Sequence, residues 1–268
     1  MKSLHLLTAL FASIIALVIA AFAWTISRED HASHTPTGEP SATTLPHQSF
    51  PDLSPTVPRP PTTDLFGSRL EVLGEDCGVA LRQDFAARPD PARADYLIAE
   101  PAGMQWQRGW GGAALPVSSS DGPTHIDPER GIATGFSRTP QGAALAALDA
   151  VGRALAAPEG IWQQLVRERF YDGGPELISR FARSRTTPDA ARYVVVPEGV
   201  RVQPGYRDDL AVVQIASRTH NGYAIGSWPM TWIDGDWRVR VPDRVETLWG
   251  PATPVPTLVG FGSWKRPV

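Results

Sequence analysis

The first apolar pattern of the chain is a run over residues 6–26, which holds 21 residues and no Asp, Glu, Lys or Arg. A helix of that length is sufficient to cross a hydrocarbon core of ~30 Å, so the run predicts a transmembrane helix. Lys2 precedes it and a mixed-charge triplet at 28–30 follows it. This weak positive bias predicts residues 1–5 in the cytoplasm and the rest of the chain outside. The alternative is a cleaved export signal, since small residues at 21 and 23 fit cleavage after Ala23.

An apolar stripe at helical spacing predicts a helix over residues 140–157. Thr139 suits the N-cap of this helix, and Pro140 suits its first position, where a backbone N–H is not needed. A second helix follows and stops at Gly173, and a third begins at Pro175. The positions assigned to the buried sides of the three helices are Ala144, Leu148, Val151, Leu155, Trp162, Leu165, Val166, Phe170, Leu177, Ile178 and Phe181.

After Arg192 the chain becomes rich in β-branched and aromatic residues, which is typical of strands. Asp234-Gly235 favours a tight hairpin turn, and Pro229 requires a bulge or an edge position because it lacks a backbone N–H. Helices followed by an antiparallel meander predict an α+β domain, with the helices on one face of a curved sheet. Residues 65–135 predict only extended segments and loops. The predicted strands cover residues 193–196, 200–203, 210–217, 223–233 and 237–241.

Composition separates the apolar run from the folded part. Residues 27–64 are rich in Pro, Thr and Ser, and eight prolines lie between His31 and Asp64. Such a segment cannot bury enough apolar surface to offset the entropy of ordering, so it predicts a disordered linker. Its histidines lack the rigid frame of a metal site. The folded domain is predicted over residues 65–268.

Charge and motifs exclude several classes of function. The formal net charge is −3 and basic residues form no block, which argues against a nucleic-acid surface. The single cysteine, Cys77, permits no internal disulfide and is interpreted as a small buried residue. Phosphate-binding, hydrolase and zinc-protease motifs are absent from the sequence. His125 and His220 are interpreted as surface residues, so the sequence predicts no catalytic residue, cofactor or metal.

Residues 135–147 read GFSRTPQGAALAA and resemble the signature G-F/Y-x-R-T-P-x-G-A-L-x-A. This signature belongs to an uncharacterised extracytoplasmic domain family of actinobacteria, associated with integrative conjugative elements. The residues that precede this segment, 115–118 and 121–123, are similar to the corresponding part of that family. The predicted anchor and its Pro/Thr linker also match the family's layout. The resemblance implies a nuclear transport factor 2-like cone, the fold of bitopic scaffold proteins in conjugation and type IV secretion machines. The resemblance implies a fold and a cellular context, but it implies no biochemical mechanism.

The sequence therefore favours a non-enzymatic assembly or scaffold component of the cell membrane, whose partners are other envelope proteins or further copies of itself. The alternatives are a small-ligand-binding cone and a hydratase- or isomerase-type enzyme. Gly142, which lacks a Cβ, lets another backbone or ring approach the helix start, and Arg138 is expected to point towards a carboxylate. The C-terminal tail, which begins at Asp243, is expected either to cover the sheet or to form an interface. The candidate interaction residues are Arg138, Thr139, Pro140, Gly142, Trp106, Trp110, Phe261 and Trp264.

Overall fold

The computed structural model describes residues 59–220, 222–250 and 253–266. The predicted transmembrane helix at 6–26 and most of the predicted linker lie outside these residues. Within them, no helix combines the length and apolar character needed to cross a membrane. The domain begins earlier than predicted, because Arg59–Thr63 forms a strand and Asp64 is buried. The last six residues assigned to the linker therefore belong to the fold.

The described residues form an α+β domain, as predicted. Three helices lie between two groups of strands. The helices are α1 (Pro140–Ala156), α2 (Ile161–Arg169) and α3 (Gly174–Arg185). The strands before α1 are β1 (Arg59–Thr63), β2 (Arg69–Val72), β3 (Gln105–Arg108), β4 (Ala114–Val117), β5 (His125–Ile126) and β6 (Ala133–Thr134). The later strands are β7 (Phe170–Tyr171), β8 (Gly199–Val202), β9 (Leu210–Thr219), β10 (Gly222–Ile233), β11 (Asp236–Arg240) and β12 (Thr253–Val255).

Two sheets carry the fold. The N-terminal sheet has the order β1-β2-β3-β4, and only its β2–β3 pair is parallel. The C-terminal sheet has the order β7-β11-β10-β9-β8, with β12 pairing to the first part of β10. Pro229 pairs with Val212 in a regular register, but β11 pairing starts only at Met230. Pro229 therefore occupies a local edge between β11 and β12, which is one of its two predicted settings.

Helix α1 is the centre of the domain and is buried almost all round. It packs against β4 on one side and against strands of the C-terminal sheet on the other. Fifteen of its 17 residues are buried, and the exceptions are Val151 and Leu155. Both residues are partly buried and pack against the core, but they are the least buried positions of the helix, so the predicted stripe does not mark its most buried face. Small residues, alanine and glycine, occupy most positions around the helix, so both sheets approach it closely. The spacing of its larger residues had suggested a single buried stripe.

The end of α1 is held by a residue that the sequence did not single out. Arg185, on α3, donates from Nη1 to the carbonyls of Ala154 (3.1 Å) and Leu155 (2.6 Å) and from Nη2 to that of Ala157 (2.6 Å). The last carbonyls of a helix have no partner within it, so this guanidinium satisfies them and ties α3 to α1.

One predicted strand is absent. Residues 190–193 form a 3₁₀ turn, and residues 194–196 belong to no strand of either sheet. The backbone of this segment bonds to separate partners instead. Val194 accepts from the N–H of Ala114 at 2.7 Å, and Val196 donates to the Asp64 carboxylate at 2.9 Å. Its apolar side chains therefore fill a connection between helix and sheet rather than a strand.

Candidate functional site

The segment 135–142, which leads into α1, is the most distinctive part of the sequence and starts with a backbone turn. Gly135 has φ of 77°, and a Cβ there would lie 1.9 Å from the Thr124 hydroxyl. The N–H groups of Gly135 and Phe136 donate to the Asp236 carboxylate at 3.1 and 3.3 Å. The start of β11 therefore fixes the approach to the central helix.

A buried ion pair completes this junction. Arg169, at the end of α2, donates to the Asp236 carboxylate and to the Trp237 carbonyl, both at 2.8 Å. The Trp237 indole N–H donates to the carbonyl of Ser137 at 2.9 Å. Arg169 and Asp236 are 3% and 8% exposed, so each charge depends on its partner. Breaking such a pair on one side commonly costs about 3–5 kcal/mol.

The cap of α1 is anchored to a second buried carboxylate. The Thr139 hydroxyl accepts from the Gly142 N–H at 3.0 Å, which confirms Thr139 as the N-cap. The same hydroxyl donates to Asp121 at 2.5 Å, and the Ser120 hydroxyl donates to the other Asp121 oxygen at 2.6 Å. Asp121 is fully buried, and the Arg88 guanidinium lies 3.6 Å from it. The cap therefore connects α1 to the loop after β4.

Gly142 permits the close approach that the sequence predicted. A Cβ at this position would lie 2.0 Å from the carbonyl oxygen of Ser137. The approaching backbone thus belongs to the same chain, and it is the turn that precedes the helix. Thr139, Pro140 and Gly142 act together as a structural joint, and their polar groups are used inside the protein.

Arg138 is the residue of the segment that faces solvent. Its Nε donates to the carbonyl oxygen of Asp208 at 2.7 Å, and its guanidinium lies 5.3 Å from the centre of the Trp232 ring. The expectation of a carboxylate partner is therefore wrong, because the Asp208 backbone fills that role. Nearby, burial and the Asp208 carboxylate raise the pKa of Tyr206 well above its ordinary value. Arg138, Tyr206 and Trp232 form an arginine–aromatic surface beside the start of α1.

Of the three candidate tryptophans, two lie in the core and one is partly buried. Trp106 on β3 and Trp264 in the tail are each 2% exposed, and the Trp106 indole donates to the Trp264 carbonyl at 2.8 Å. The Trp264 indole donates to the carbonyl of Ile98 at 3.2 Å. Trp110 is partly buried, and its ring occupies the space that a Cβ on Gly131 would need. Trp106 and Trp264 are therefore core residues that join the tail to the N-terminal sheet.

The tail also closes the free edge of the C-terminal sheet. Val200 on β8 exchanges two backbone hydrogen bonds with Gly262, each of 2.9 Å. Phe261 lies over Gly199 on the side away from α1, and the Arg201 guanidinium stacks 4.3 Å from its ring centre. The tail therefore covers β8, in agreement with the first of its two predicted roles.

A charged pair inside α1 was missed by the sequence analysis. Asp149 and Arg153 are fully buried and are joined at 2.5 Å. Arg153 also donates to the carbonyls of Cys77 and Gly131 at 2.7 and 2.9 Å. Burial raises the pKa of Asp149 above its ordinary value, against the opposing effect of Arg153. The four-residue spacing of opposite charges was a signal that could have found this pair.

The two histidines of the domain lie on its surface. His125 is exposed on β5, where the sequence predicted a loop, and it pairs with Thr134. His220 is exposed in the turn between β9 and β10. Across the part of the chain that the structure describes, no three His, Cys, Asp or Glu side chains converge as a metal site would require.

The outer face of the C-terminal sheet is the main surface that the helices leave uncovered. Met230 pairs with Ala211, and both are buried against the helices, so the neighbouring pairs point the other way. The members of the resulting outer strip are partly or fully exposed, and the Arg201 guanidinium on β8 donates to the Gln214 amide oxygen within the strip at 2.9 Å. The outer strip consists of Leu210, Val212, Gln214, Ile225, Ser227, Pro229 and Thr231.

Comparison with known proteins places this arrangement in a family. No curated protein and no solved structure shows significant similarity to the chain. One family matches residues 72–263, which is well over half of the chain and includes α1, strands β3 and β4, the C-terminal sheet and most of the tail. The chain therefore belongs to the family described as Domain of unknown function (DUF8175).

Proposed function

We propose that this chain is a membrane-anchored, non-enzymatic assembly component of the cell envelope, with a role in a conjugation or secretion apparatus. Its anchor is the apolar run at residues 6–26, and its domain lies outside the cytoplasm. The domain belongs to the nuclear transport factor 2-like class of cones. The resemblance of residues 135–147 to an extracytoplasmic family supports the cellular context.

The order of elements supports the cone. Two helices, a short strand and a third helix precede four consecutive antiparallel strands, β8 to β11. Strand β7 runs parallel to β11 at the edge of that sheet. The long helix α1 lies against the core face of the sheet, which agrees with a cone whose helices pack on a curved sheet.

One observation carries the assembly role: the polar groups of the distinctive segment bond inside the domain, while Val212, Ile225 and Pro229 remain partly exposed on the outer face of the C-terminal sheet. Asp236 and Asp121 accept the hydrogen bonds of residues 135–142, so this segment holds helix and sheet together. The space between α1 and the C-terminal sheet is filled by side chains such as Leu145 and Met230, which are fully buried. Buried side chains between helix and sheet, together with partly exposed apolar side chains on the outer face, favour contact with macromolecules.

Small-ligand binding is the alternative that a specific observation favours. Gln141, 2% exposed at the start of α1, donates to the Tyr96 carbonyl at 2.7 Å, but its Oε1 accepts no hydrogen bond from the described residues. Tyr206 and Trp232 lie on the same side of the domain. A ligand with a hydrogen-bond donor and a flat ring would suit this surface.

The test is a deletion of the gene in cells whose DNA transfer or secretion can be measured. Wild-type and variant chains are then expressed in these cells to see which of them restore function. We expect the wild-type chain and His125→Ala to restore function, since His125 is exposed and belongs to no catalytic arrangement. We expect Val212→Glu, which places a charge on the outer strip, to fail, and the isosteric Val212→Thr to succeed. Failure of His125→Ala in a variant that folds would refute the non-enzymatic role. Full activity of Val212→Glu would refute the role of the strip.

A further inference from the structure

The N-terminal hairpin, which consists of β1, β2 and the turn between them, is joined to the domain at few points. Strand β1 has no buried residue, and Leu70 is the buried residue of β2. The hairpin pairs with the rest of its sheet through one register position, between Glu71 and Gln107. A cleft of about 320 Å³, lined by Glu71 and by residues 103–106, lies beside this pair. The hairpin therefore lies at the margin of the core.

Asp64, in the turn of the hairpin, provides a polar attachment to the domain. One oxygen of its carboxylate accepts from the N–H groups of Phe66 and Ser68 within the turn, both at 2.9 Å. The other oxygen accepts from the Val196 N–H at 2.9 Å, in the connection between α3 and β8. Asp64 is 9% exposed, so these bonds are shielded from water. They hold the turn end of the hairpin in place.

The opposite end of the hairpin is where the chain enters from the predicted linker, and its pairing is weaker. Arg59, the first residue of β1, pairs with Val72, the last residue of β2. The register shifts between Arg59 and Thr62. Pro60 and Pro61 lie within this shift and have no backbone N–H to donate to β2. A pull on Arg59 away from Val72 acts across the strands, so it separates the paired residues one after another.

We propose that the hairpin of residues 59–72 is a strap that opens before the rest of the domain when the linker is under tension. Regions with few buried apolar contacts are those that open locally in folded proteins. Opening releases about fourteen residues, which span at most roughly 46–50 Å when extended. The domain then reaches further from its anchor while α1 and the C-terminal sheet stay folded. This inference rests on the proposed anchor, since only a held linker transmits tension to Arg59.

The rest of the core keeps its own contacts when the strap opens. Strand β3 remains paired with β4 over four positions, and Trp106 on β3 remains bonded to the Trp264 carbonyl at 2.8 Å. The main contacts that opening removes are the packing of the Leu70 side chain and the bond from Val196 to Asp64. Opening is therefore a local event, distinct from the unfolding of the domain.

Single-molecule stretching of the full chain in detergent, with handles attached at both ends, tests the proposal. Arg59→Cys combined with Val72→Cys provides a lock, because paired residues of antiparallel strands lie within reach of a disulfide. The native Cys77 is 4% exposed, so it competes little for oxidation. A thiol count before and after oxidation measures closure of the lock.

We expect the wild type and the reduced lock to show a lengthening step of about fourteen residues before the domain unfolds. The oxidised lock should lose this step and keep the later ones. Asp64→Ala should lower the force of the step without changing the force of later unfolding. Asp90→Ala, which removes an exposed carboxylate outside the hairpin, is the matched control and should change neither force.

Three results would overturn the strap: a step that survives oxidation of the lock, thiols that stay free after oxidation, or a hairpin that unfolds together with the domain. Fractionation of cells tests the anchor separately. A membrane-bound chain without the early step refutes the strap alone. A chain found only in the soluble fraction refutes the anchor, and with it the source of the tension.

Discussion

Trp264→Ala is the sharpest test of the tail as part of the core. The Trp264 side chain is 2% exposed, its indole donates to the Ile98 carbonyl at 3.2 Å, and its own carbonyl accepts from Trp106 at 2.8 Å. Alanine would remove the indole from a packed seam and leave the Ile98 acceptor without this donor. The variant should therefore destabilise the whole domain, and not just loosen its end.

The size of the effect follows from burial. Replacing a buried tryptophan by alanine costs about 3–5 kcal/mol, including the cavity that remains. Domains of this size have a total stability of about 5–15 kcal/mol, so the loss is a large fraction. In a domain of about 200 residues, each kcal/mol lowers Tm by about 2–4 °C. The expected decrease in Tm for Trp264→Ala is therefore about 6–20 °C.

Thermal unfolding followed by circular dichroism measures this decrease. Val259→Ala is the matched control in the same tail, because Val259 is 86% exposed and its truncation should leave Tm nearly unchanged. Trp264→Phe should fall between the two, since it keeps an aromatic ring but loses the hydrogen-bond donor. If Trp264→Ala and Val259→Ala unfold at the same temperature, the tail is not part of the core. The alternative role of the tail as an interface would then gain support.

Three further predictions address the core, the charge network and the topology. Leu145→Asp should destabilise the domain more than Leu148→Asp in thermal melts, since Leu145 is fully buried and Leu148 is 9% exposed. Burial alone would raise the pKa of Glu198, but hydrogen bonds from Lys265 and Arg218 outweigh it and lower this pKa. The stabilisation that ionised Glu198 provides is therefore present above its ordinary pKa and is lost as pH falls through the lowered pKa. The difference in Tm between the wild type and Glu198→Gln should be largest at neutral pH and vanish in acid. A reporter that fluoresces only in the cytoplasm, fused after Val268, should stay dark, and a bright signal would refute the topology.

Local signals were sufficient to predict where α1 and α3 begin, but the predicted end of α2 at Gly173 was wrong, because α2 ends at Arg169 and Phe170 belongs to strand β7. The Thr139 cap and the prolines at the helix starts are properties of short segments, and the structure begins α1 and α3 within a residue of the predicted positions. The hairpin of β10 and β11 was likewise marked by Asp234-Gly235. Such features depend on neighbours within a few residues, so a sequence reveals them.

Contacts between distant segments could not be predicted in the same way. Asp236 and Arg169 look like ordinary charged residues in the sequence, yet they bond inside the protein. The N-terminal sheet was also missed, because its strands have four or five residues and two of them pair through a single parallel register position. The burial of Trp106 and Trp264 depends on a contact across 158 residues. Only the folded topology reveals such partners.

The bond between Asp236 and the turn before α1 has a consequence for how the chain folds. The Gly135 and Phe136 N–H groups bond to a carboxylate about one hundred positions further along the chain, so their partner is synthesised long after them. Folds that depend on such non-local contacts close late and slowly. A nascent chain that ends before residue 236 would expose the central helix to aggregation. The domain should therefore complete its fold only after β11 and the tail have been synthesised, and the incomplete polypeptide would need protection from aggregation until then.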